Sequence, residues 1–365
     1  MTHMAELCFV SSFIAIKFAA TSVSLRSRHC ISERYRDRAN SPSRPQAPRY
    51  IRHPSRFIVS AAAQEDILIR TLSKDGAISV RVLFATELVR HSASLHGTSP
   101  TATAALGRAM MGAVLLANGK KDGETTQIDF RGGGPLGPVV ALATTDGAVR
   151  GFVSNPSADL PPVKTEQGLK LNVGGLVGRE GSLTVTRAHK SYRQPYRGIV
   201  KIKTGEVADD LLLYLVESEQ VPSALGLGVF VGGLKDSQTP GQVDVAGGFL
   251  VQVLPDATEE TLTRLEQNVS VLPPTTELLR SGLTPDELID VLLSGLGSQE
   301  RIAVRPKFEC TCDAERVKSA VAVLGKSELE DIVKDGEDLS VCCEFCRKKY
   351  SLSTNEISCI LTDWE

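Results

Sequence analysis

Cysteine is missing from the long middle of this 365-residue chain. Of its eight cysteines, Cys8 and Cys30 lie near the start, and no other occurs before Cys310. Secreted proteins that depend on disulfides have cysteines distributed through the fold, so this pattern argues against a disulfide framework. The last six cysteines share the final 56 residues, which indicates one local site in a reducing compartment.

Histidine and the common catalytic motifs are scarce as well. After residue 63 the chain has three histidines, His91, His96 and His189, and the first two lie off the i, i+4 spacing of a helical metal pair. There is no H-E-x-x-H and no G-x-S-x-G motif. AVAVLGKS (320–327) ends like a phosphate-binding loop but lacks its first glycine and has helical spacing. We therefore predict no catalytic residue and no enzyme activity.

The body of the chain lacks both an excess of basic residues and a long apolar segment. Residues 64–365 contain 31 basic and 40 acidic residues, a net charge of −9, which argues against nucleic acid as a partner. The apolar stretch 7–20 is too short and too interrupted to span a bilayer, and we expect no later segment to do so. A membrane partner is therefore not predicted.

The first 63 residues have a different composition from the rest. They carry ten basic and three acidic residues, are rich in Ser and Arg, and end near the small residues of FIVSAAAQ (57–64). This composition is typical of a transit peptide, and a merely disordered tail is the alternative. We predict a disordered transit peptide over 1–63 and location in the plastid (chloroplast stroma), with the mitochondrial matrix as the alternative.

Residues 64–255 are expected to form an α+β core domain with a largely antiparallel sheet. DILIRTLS (66–73) and AISVRVLF (77–84) alternate apolar and polar residues around the turn KDG, which predicts a β-hairpin. Small and apolar residues over 101–119 predict a buried helix that starts at Thr101. EVADDLLLYLVESEQVP (206–222) predicts a second helix, and the segments between and after these helices alternate as strands do.

Residues 256–306 are predicted to form a helical linker. The first helix places four apolar residues on one side: Leu262, Leu265, Val269 and Leu272. In the second, Thr284 caps the helix, Pro285 suits its first turn and Glu287 completes a capping box. This segment is too small for its own core, so it must pack on another part of the chain. It is a candidate for a metastable switch, and a permanently packed helical layer is the alternative.

Residues 307–365 are expected to form a small terminal module. Val317, Ala320, Val321 and Leu324 follow the spacing of one helix face, with Gly325 as a stop. Ser327 is expected to cap a second short helix. Two short strands should then enclose the tight loop that contains VCCEFC (341–346).

Two close cysteine pairs in this module predict a zinc site. FECTC places Cys310 and Cys312 in a C-x-C pair, and CEFC places Cys343 and Cys346 in a C-x-x-C pair. Two such pairs on separate loops can direct four sulfurs at one Zn²⁺ ion, which accepts four thiolates tetrahedrally. A module of this size has little core, so one metal ion per chain would supply much of its stability.

Other interpretations of these cysteines stay open. Four thiols that merely fill the core are disfavoured by their arrangement in two close pairs. Permanent structural disulfides fit a reducing compartment poorly. Cys343 and Cys346 could act as a thiol–disulfide oxidoreductase, but that would need the pair at a helix N-terminus, and a strand is predicted to follow. Cys342 could replace Cys343, although the spacing favours Cys343, and Cys342 and Cys359 are predicted not to be ligands. The module has 8 basic and 13 acidic residues, which disfavours a nucleic-acid-binding zinc ribbon.

Zinc-bound thiolates are open to attack by oxidants. Oxidation to disulfides would remove the charges that hold the metal, and either cysteine pair could close a small ring. Loss of the metal would loosen the module, and unfolding could spread to the neighbouring linker. The apolar surface uncovered there would bind other exposed apolar surfaces.

The pattern of C-x-C followed about thirty residues later by C-x-x-C, behind an α+β body, resembles the 33-kilodalton heat-shock protein family. Supporting segments include ALGRAMMGAVLLANGKKDGETTQIDFRGGGPLG, YRGIVKIKTGEVADDLLLYLVESEQVPSAL and AGGFLVQVLP, and the resemblance covers about residues 64–365. The long N-terminal extension and the additional Cys342 depart from the family pattern, and Cys342 leaves the oxidised pairing open.

The resemblance implies an ATP-independent, redox-regulated holdase chaperone that is zinc-bound and inactive when reduced. Oxidation would release zinc, unfold the linker, promote a homodimer and let the protein hold unfolding client proteins. Both the metal ligands and the redox disulfides would come from the same four residues: Cys310, Cys312, Cys343 and Cys346.

Overall fold

The computed structural model of the protein describes residues 15–17, 65–165, 168–232, 242–336 and 338–362. Except for residues 15–17, the predicted transit segment lies outside the described residues, and its role stays a prediction. The strands within the described residues are β1 (Ala15–Lys17), β2 (Ile67–Leu72), β3 (Ile78–Phe84), β4 (Thr125–Arg131), β5 (Val139–Thr144), β6 (Ala148–Val153), β7 (Val163–Thr165), β8 (Gly168–Lys170), β9 (Ser182–Ala188), β10 (Tyr196–Lys201), β11 (Ser223–Val231), β12 (Val243–Val253), β13 (Ile302–Val304), β14 (Lys307–Phe308), β15 (Leu339–Cys342) and β16 (Lys349–Leu352). The helices are α1 (Thr86–His96), α2 (Pro100–Ala117), α3 (Val173–Val177), α4 (Val207–Glu217), α5 (Glu259–Ser270), α6 (Thr275–Arg280), α7 (Pro285–Leu292), α8 (Ala314–Ala322), α9 (Lys326–Asp335) and α10 (Thr354–Thr362).

Two six-stranded sheets form the body of the described chain. The first has the strand order β1-β11-β12-β3-β2-β13 and the second has the order β10-β9-β4-β5-β6-β14. Neighbouring strands are antiparallel in every pair but one, the pair of β14 with β6. The predicted hairpin is present as β2 and β3, and Gly76 supplies the positive φ of +76° in its turn. The structure thus confirms the α+β class with a largely antiparallel sheet.

Helix α2 lies between the two sheets. It packs against β4, β5 and β6 of the second sheet and against β11, β12 and β3 of the first. Its residues from Thr101 onward are buried. The helix begins at Pro100, one residue before the predicted start, and the Ser99 side chain caps it by accepting from the Ala102 amide. By length and composition α2 could cross a membrane, contrary to the sequence-based expectation, but 94% of it is buried inside the protein as its core helix.

Helices α5, α6 and α7 cover the other face of the first sheet. Their buried residues meet Ile78, Val80 and Phe249 of that sheet in one apolar cluster. Leu265 and Val269 are buried, as the predicted stripe requires, and Leu262 and Leu272 are half-buried. We call α5, α6 and α7 the helical layer; in this structure it is packed on the sheet, and its role as a switch stays a prediction.

The start of α7 agrees with the sequence-based prediction. The Thr284 hydroxyl accepts from the Glu287 amide at 3.2 Å, and the Glu287 carboxylate accepts from the Thr284 amide at 2.8 Å. This reciprocal arrangement is the predicted capping box, and it satisfies two backbone donors at the helix start.

The terminal module contains α8, α9, α10 and the hairpin β15–β16. Within the described part of the module the buried apolar side chains are few: Val317, Val321, Leu329, Leu352 and Ile357. So small a cluster contributes little stability by itself.

Two details of the module differ from the sequence-based predictions. Ala320 and Leu324 are exposed, because α8 turns them away from the cluster and ends at Ala322, before Leu324. Gly325, with φ of +102°, is the residue before α9, so Ser327 lies inside the first turn and does not cap the helix.

Two short strands that carry no periodic signal connect the helical layer to the module. β13 pairs with β2 at the edge of the first sheet, and β14 pairs with β6 at the edge of the second. The chain therefore crosses from one sheet to the other just before Cys310. The domain limits proposed from the sequence stay predictions.

Replacement of Leu288 by Ala tests how firmly the helical layer is packed. Leu288 is 0% exposed, so truncation should lower the free energy of unfolding of the reduced protein by about 2–5 kcal/mol. Val291 lies on the same helix and is 36% exposed, so Val291→Ala should change it by less than about 1 kcal/mol. Urea unfolding followed by circular dichroism measures both, and equal losses would contradict the packing described.

Candidate metal centre

The first cysteine pair is held against the second sheet. In β14, Lys307 and Phe308 lie beside Ala148 and Val149 of β6, and the next amide, of Glu309, donates to the Val149 carbonyl at 3.0 Å. Beyond the pair, the Asp313 side chain accepts from the Arg316 amide and caps α8. Cys310 and Cys312 therefore lie in a short segment that is fixed at both ends.

The second pair lies in the tight turn between β15 and β16. The Arg347 amide donates to the Cys343 carbonyl at 2.8 Å, and the Cys343 amide donates to the Lys348 carbonyl at 2.9 Å. Arg347 has φ of +58°, a left-handed conformation that is uncommon for residues other than glycine. This turn directs both Cys343 and Cys346 to the same side as the first pair.

The four sulfurs come together as one group. All of them lie within 4.8 Å of one another, with Sγ–Sγ distances of 3.8 Å between Cys310 and Cys343 and 3.3 Å between Cys312 and Cys346. Four sulfurs about 2.3 Å from one tetrahedral ion would be roughly 3.8 Å apart. Both measured distances are far longer than a disulfide bond of about 2.05 Å. The donor set and its spacing fit a thiophilic metal ion such as Zn²⁺.

The remaining thiols of the module are placed differently. Cys342 and Cys359 are exposed and do not belong to the four-sulfur group. The Cys342 Sγ points instead to backbone carbonyls, 3.5 Å from that of Arg347. The structure thus brings together the four predicted site residues and leaves out the two that were predicted not to be ligands.

The thiols of the group differ in pKa. Burial raises the pKa of Cys310, and it raises the pKa of Cys346 to about 12. Burial acts in the same direction on Cys312, but hydrogen bonds from Tyr350 and the neighbouring thiols outweigh it and lower its pKa to about 7. Cys312 therefore loses its proton more readily than Cys310 and Cys346, and a nearby cation would favour the thiolate form of those two.

Tyr350 is a site residue that the sequence analysis missed. Its hydroxyl donates to Cys312 Sγ at 3.1 Å, and this bond raises the pKa of the Tyr350 phenol. Tyr350 is on β16 and Cys312 is 38 residues earlier, so only the folded hairpin brings them together. Hydrogen bonds to metal-bound sulfur are a common way in which a protein orients its ligands.

Each cysteine pair also encloses a residue that contacts β6. The Phe345 ring, between Cys343 and Cys346, meets the Phe152 ring edge-on at a centroid distance of 5.0 Å and an angle of 89°. Arg150 lies over the Phe345 ring at 5.1 Å, and its Nη1 donates to the Thr311 hydroxyl, between Cys310 and Cys312, at 3.1 Å. We call these contacts of Arg150 and Phe152 the docking contact. It links the position of both pairs to the second sheet.

Comparison with known proteins identifies the family. Residues 66–353 match the sequence profile described as Hsp33 protein. The chain is 39% identical over 292 residues to the 33 kDa chaperonin of Geobacter sulfurreducens, which covers 80% of this chain and 93% of that protein. It is 37% identical over 314 residues to the 33 kDa chaperonin of Caldanaerobacter subterraneus subsp. tengcongensis, covering 85% and 99%.

A solved structure supports the same assignment. The crystal structure of the 33 kDa chaperonin (heat shock protein 33 homolog) of Thermotoga maritima has a TM-score of 0.72 and 32% identity, and covers 82% of this chain and 99% of that one. The chain belongs to the Hsp33 family. It is accordingly a chaperone of that family with a four-cysteine group of metal-binding geometry.

Serine substitutions distinguish the four grouped thiols from their neighbour. Cys343→Ser removes one of four thiolates, so the purified reduced protein should lose stoichiometric metal. Cys342→Ser changes the adjacent, exposed thiol and should retain one metal ion per chain. Elemental analysis with a chromophoric chelator measures the content of each variant. Loss of metal in Cys342→Ser with retention in Cys343→Ser would reverse the assignment.

Proposed function

We propose that this protein is a redox-regulated, ATP-independent holdase chaperone that binds one Zn²⁺ ion per chain in its reduced state. Cys310, Cys312, Cys343 and Cys346 would be both the metal ligands and the residues that are oxidised. The observation that carries this proposal is the four-thiol group. Both of its halves contact the second sheet through Arg150, and the first half follows the helical layer in the chain after the short strands β13 and β14.

When bound, the zinc ion would act as a structural clamp on the module. The five buried apolar residues in the described part of the module are a small core, and the two cysteine pairs come from segments 30 residues apart. Structural zinc sites contribute on the order of 10 kcal/mol to folding. Reduced thiolates would therefore hold α8, α9 and the hairpin in one arrangement.

Oxidation would remove this clamp. Each disulfide forms from two thiolates, which give two electrons to one molecule of hydrogen peroxide; with two protons the peroxide becomes two water molecules. Two peroxide molecules thus convert the four thiolates into two disulfides, and the Zn²⁺ ion leaves unreduced. All Sγ–Sγ separations in the group are below 4.8 Å, so each possible pairing is within reach and the pairing is left open. The four thiols are half-buried, which leaves them accessible to small oxidants.

Loss of the metal would also destabilise the helical layer, which is connected to the first cysteine pair along the chain. Disulfides cannot keep the sulfur geometry of the reduced group, so the Phe345 loop would leave Phe152, and β14 would lose its support at Cys310. β13 and the helical layer precede β14 directly. Separation of the layer would uncover apolar residues on both sides: Leu265, Val269, Leu288, Val80 and Phe249. Such a surface binds exposed apolar segments of unfolding proteins.

The partners and location follow from the same proposal. Unfolded client proteins are the expected ligands, and a second copy of the chain would cover part of the uncovered surface as a homodimer after oxidation. Chloroplast stroma remains the proposed location, with the mitochondrial matrix as the alternative. The oxidoreductase alternative is less favoured, because Cys343 and Cys346 lie between two strands rather than at a helix N-terminus.

The switch itself is tested with a client enzyme that aggregates on heating. Reduced, zinc-loaded protein should leave light scattering unchanged, whereas peroxide-treated protein should suppress it at stoichiometric ratios, with zinc release and a gain in apolar-dye fluorescence. Cys342→Ser should switch in the same way, because that thiol is outside the group. Equal protection by the reduced and oxidised forms would refute the proposed regulation.

The docking contact gives a second, independent test. Phe345→Ala removes the ring that meets Phe152 but leaves all four thiols in place, so metal content should stay at one per chain. Peroxide should then release the metal and activate the protein faster than in the unmodified chain, by roughly fivefold if about 1 kcal/mol of aromatic contact is lost.

Glu344→Ala is the matched control for this experiment. Glu344 is exposed and belongs to the same loop, so this variant should keep the unmodified rate of zinc release. Identical rates for Phe345→Ala and Glu344→Ala would show that the docking contact does not restrain the switch.

A further inference from the structure

Basic side chains meet at one end of helix α2, in a cluster that none of the four cysteines belongs to. Arg70 is on β2, Arg81 on β3, Lys120 follows α2 and Arg187 is on β9. Arg81 is only 8% exposed and Lys120 is half-buried. The cluster therefore joins both sheets and the core helix in a largely desolvated place.

Arg70 and Arg81 are direct neighbours across two strands. They are cross-strand partners in the antiparallel pair β2–β3, so their side chains are on the same face of the sheet. A Cβ atom placed on Gly119 would lie 2.8 Å from Arg81 Nη2 and 3.5 Å from Arg70 Nη1. The two guanidinium groups thus converge beside Gly119. Like charges at directly opposite positions repel one another, and burial of Arg81 increases the cost.

The two nearby carboxylates lie against Arg187 rather than against the other three basic residues. Glu219 forms an ion pair with Arg187, and Glu124 lies 4.0 Å from Arg187 Nε and accepts from the Tyr192 hydroxyl at 2.6 Å. Within the described part of the chain, Arg70, Arg81 and Lys120 have no carboxylate within 4.0 Å.

The cluster therefore carries an excess of two positive charges. It holds four cationic side chains and two carboxylates: Arg70, Arg81, Lys120, Arg187, Glu124 and Glu219. The carboxyl end of α2 supplies about half a negative charge, which offsets only part of this excess. Burial, followed by the charges of Arg70 and Arg187, lowers the pKa of Arg81 to about 10, which agrees with an incompletely compensated cation.

Some donors in the cluster lack a hydrogen-bond partner within the described structure. Arg81 Nη1 donates to Gln252 Oε1 at 2.7 Å, which holds the guanidinium in place and leaves the amide nitrogen of Gln252 as a further donor. In the described structure, the buried Nε atoms of Arg70 and Arg81 have no hydrogen-bond partner. Gly119 is exposed and has φ of +81°, so the chain passes this point without a side chain that would close the approach.

We propose that this cluster is a binding site for a phosphate-type dianion. Arg70, Arg81 and Lys120 would supply the charge, and the Gln252 amide would supply a neutral donor. A tetrahedral dianion matches the excess of two charges and offers several oxygens to planar guanidinium groups, which bind phosphate well. The ligand is either inorganic phosphate or the phosphate group of a small metabolite such as a nucleoside monophosphate.

Unfolding of the reduced full-length protein tests this site without the redox switch. At constant ionic strength and pH 7.5, phosphate in place of chloride should stabilise the native state. Above the dissociation constant, each tenfold rise in phosphate should lower the equilibrium constant for unfolding tenfold. Nucleoside monophosphate at equal concentration distinguishes the two ligand sources, because the tighter ligand gives the larger shift.

Charge-removing variants locate the effect. Arg70→Gln should abolish the phosphate dependence and, in chloride, be at least as stable as the unmodified chain because the repulsion with Arg81 is relieved. Lys120→Gln, at the more exposed side of the cluster, should weaken phosphate binding about tenfold. This second variant tests the site even if Arg70→Gln does not fold. Arg131→Gln is the control, because Arg131 is an arginine with 66% side-chain exposure that pairs with Asp129.

Equilibrium dialysis with labelled phosphate gives the stoichiometry, which should be one per chain. An equal effect of phosphate and chloride, or the same phosphate dependence in Lys120→Gln as in Arg131→Gln, would overturn the proposal. Neither result would bear on the metal centre, because metal content and redox activation are measured separately.

Discussion

Four thiol sulfurs that must share a space less than 5 Å across are the constraint on which the rest of this structure depends. The module around them buries few apolar side chains, so its packing alone is a weak restraint. The pKa of Cys312 is lowered to about 7, whereas the pKa values of Cys310 and Cys346 are raised. A single cation that binds all four thiolates resolves both problems, since it compensates their charge and supplies the missing stability.

The position of this group gives it influence beyond the module. Residues enclosed by both cysteine pairs contact Arg150 on β6, and the segment before Cys310 joins the edges of both sheets in succession. The helical layer precedes that segment and buries apolar residues against the first sheet. A change at the sulfurs is therefore connected through the second sheet and the segment before Cys310 to the apolar surface between the helical layer and the first sheet. This continuity is what makes regulation by oxidation physically reasonable for this chain.

The sequence predicted the parts of the fold that carry local, repeated signals. The β2–β3 hairpin, α2, the capping box at Thr284 and the turn around Cys343 and Cys346 all have such patterns, and the structure has each of them. Several elements were missed, which are short or lack a clear apolar period, so their conformation depends on tertiary packing: α1, α3, α6, α10, β7, β8, β13 and β14. Tyr350 and the docking contact were missed for a related reason, because contacts between residues far apart in the chain leave no spacing to detect. Ser327 was predicted to cap α9, but the helix begins one residue earlier, at Lys326, and Ser327 lies within its first turn.

The strand that attaches the start of the module to the second sheet is short. β14 has two residues, and its amides at Lys307 and Glu309 reach the second sheet through two hydrogen bonds to Gly147 and Val149. So short a ladder at a sheet edge can fray on its own, without opening the rows of bonds beside it. Backbone amide hydrogens would then exchange slowly in the interior around α2 and rapidly at this sheet edge, from residue 307 onward. Lengthening or shortening β14 by a single residue could therefore change how readily the module separates from the second sheet, with no change to the four cysteines or to the interior.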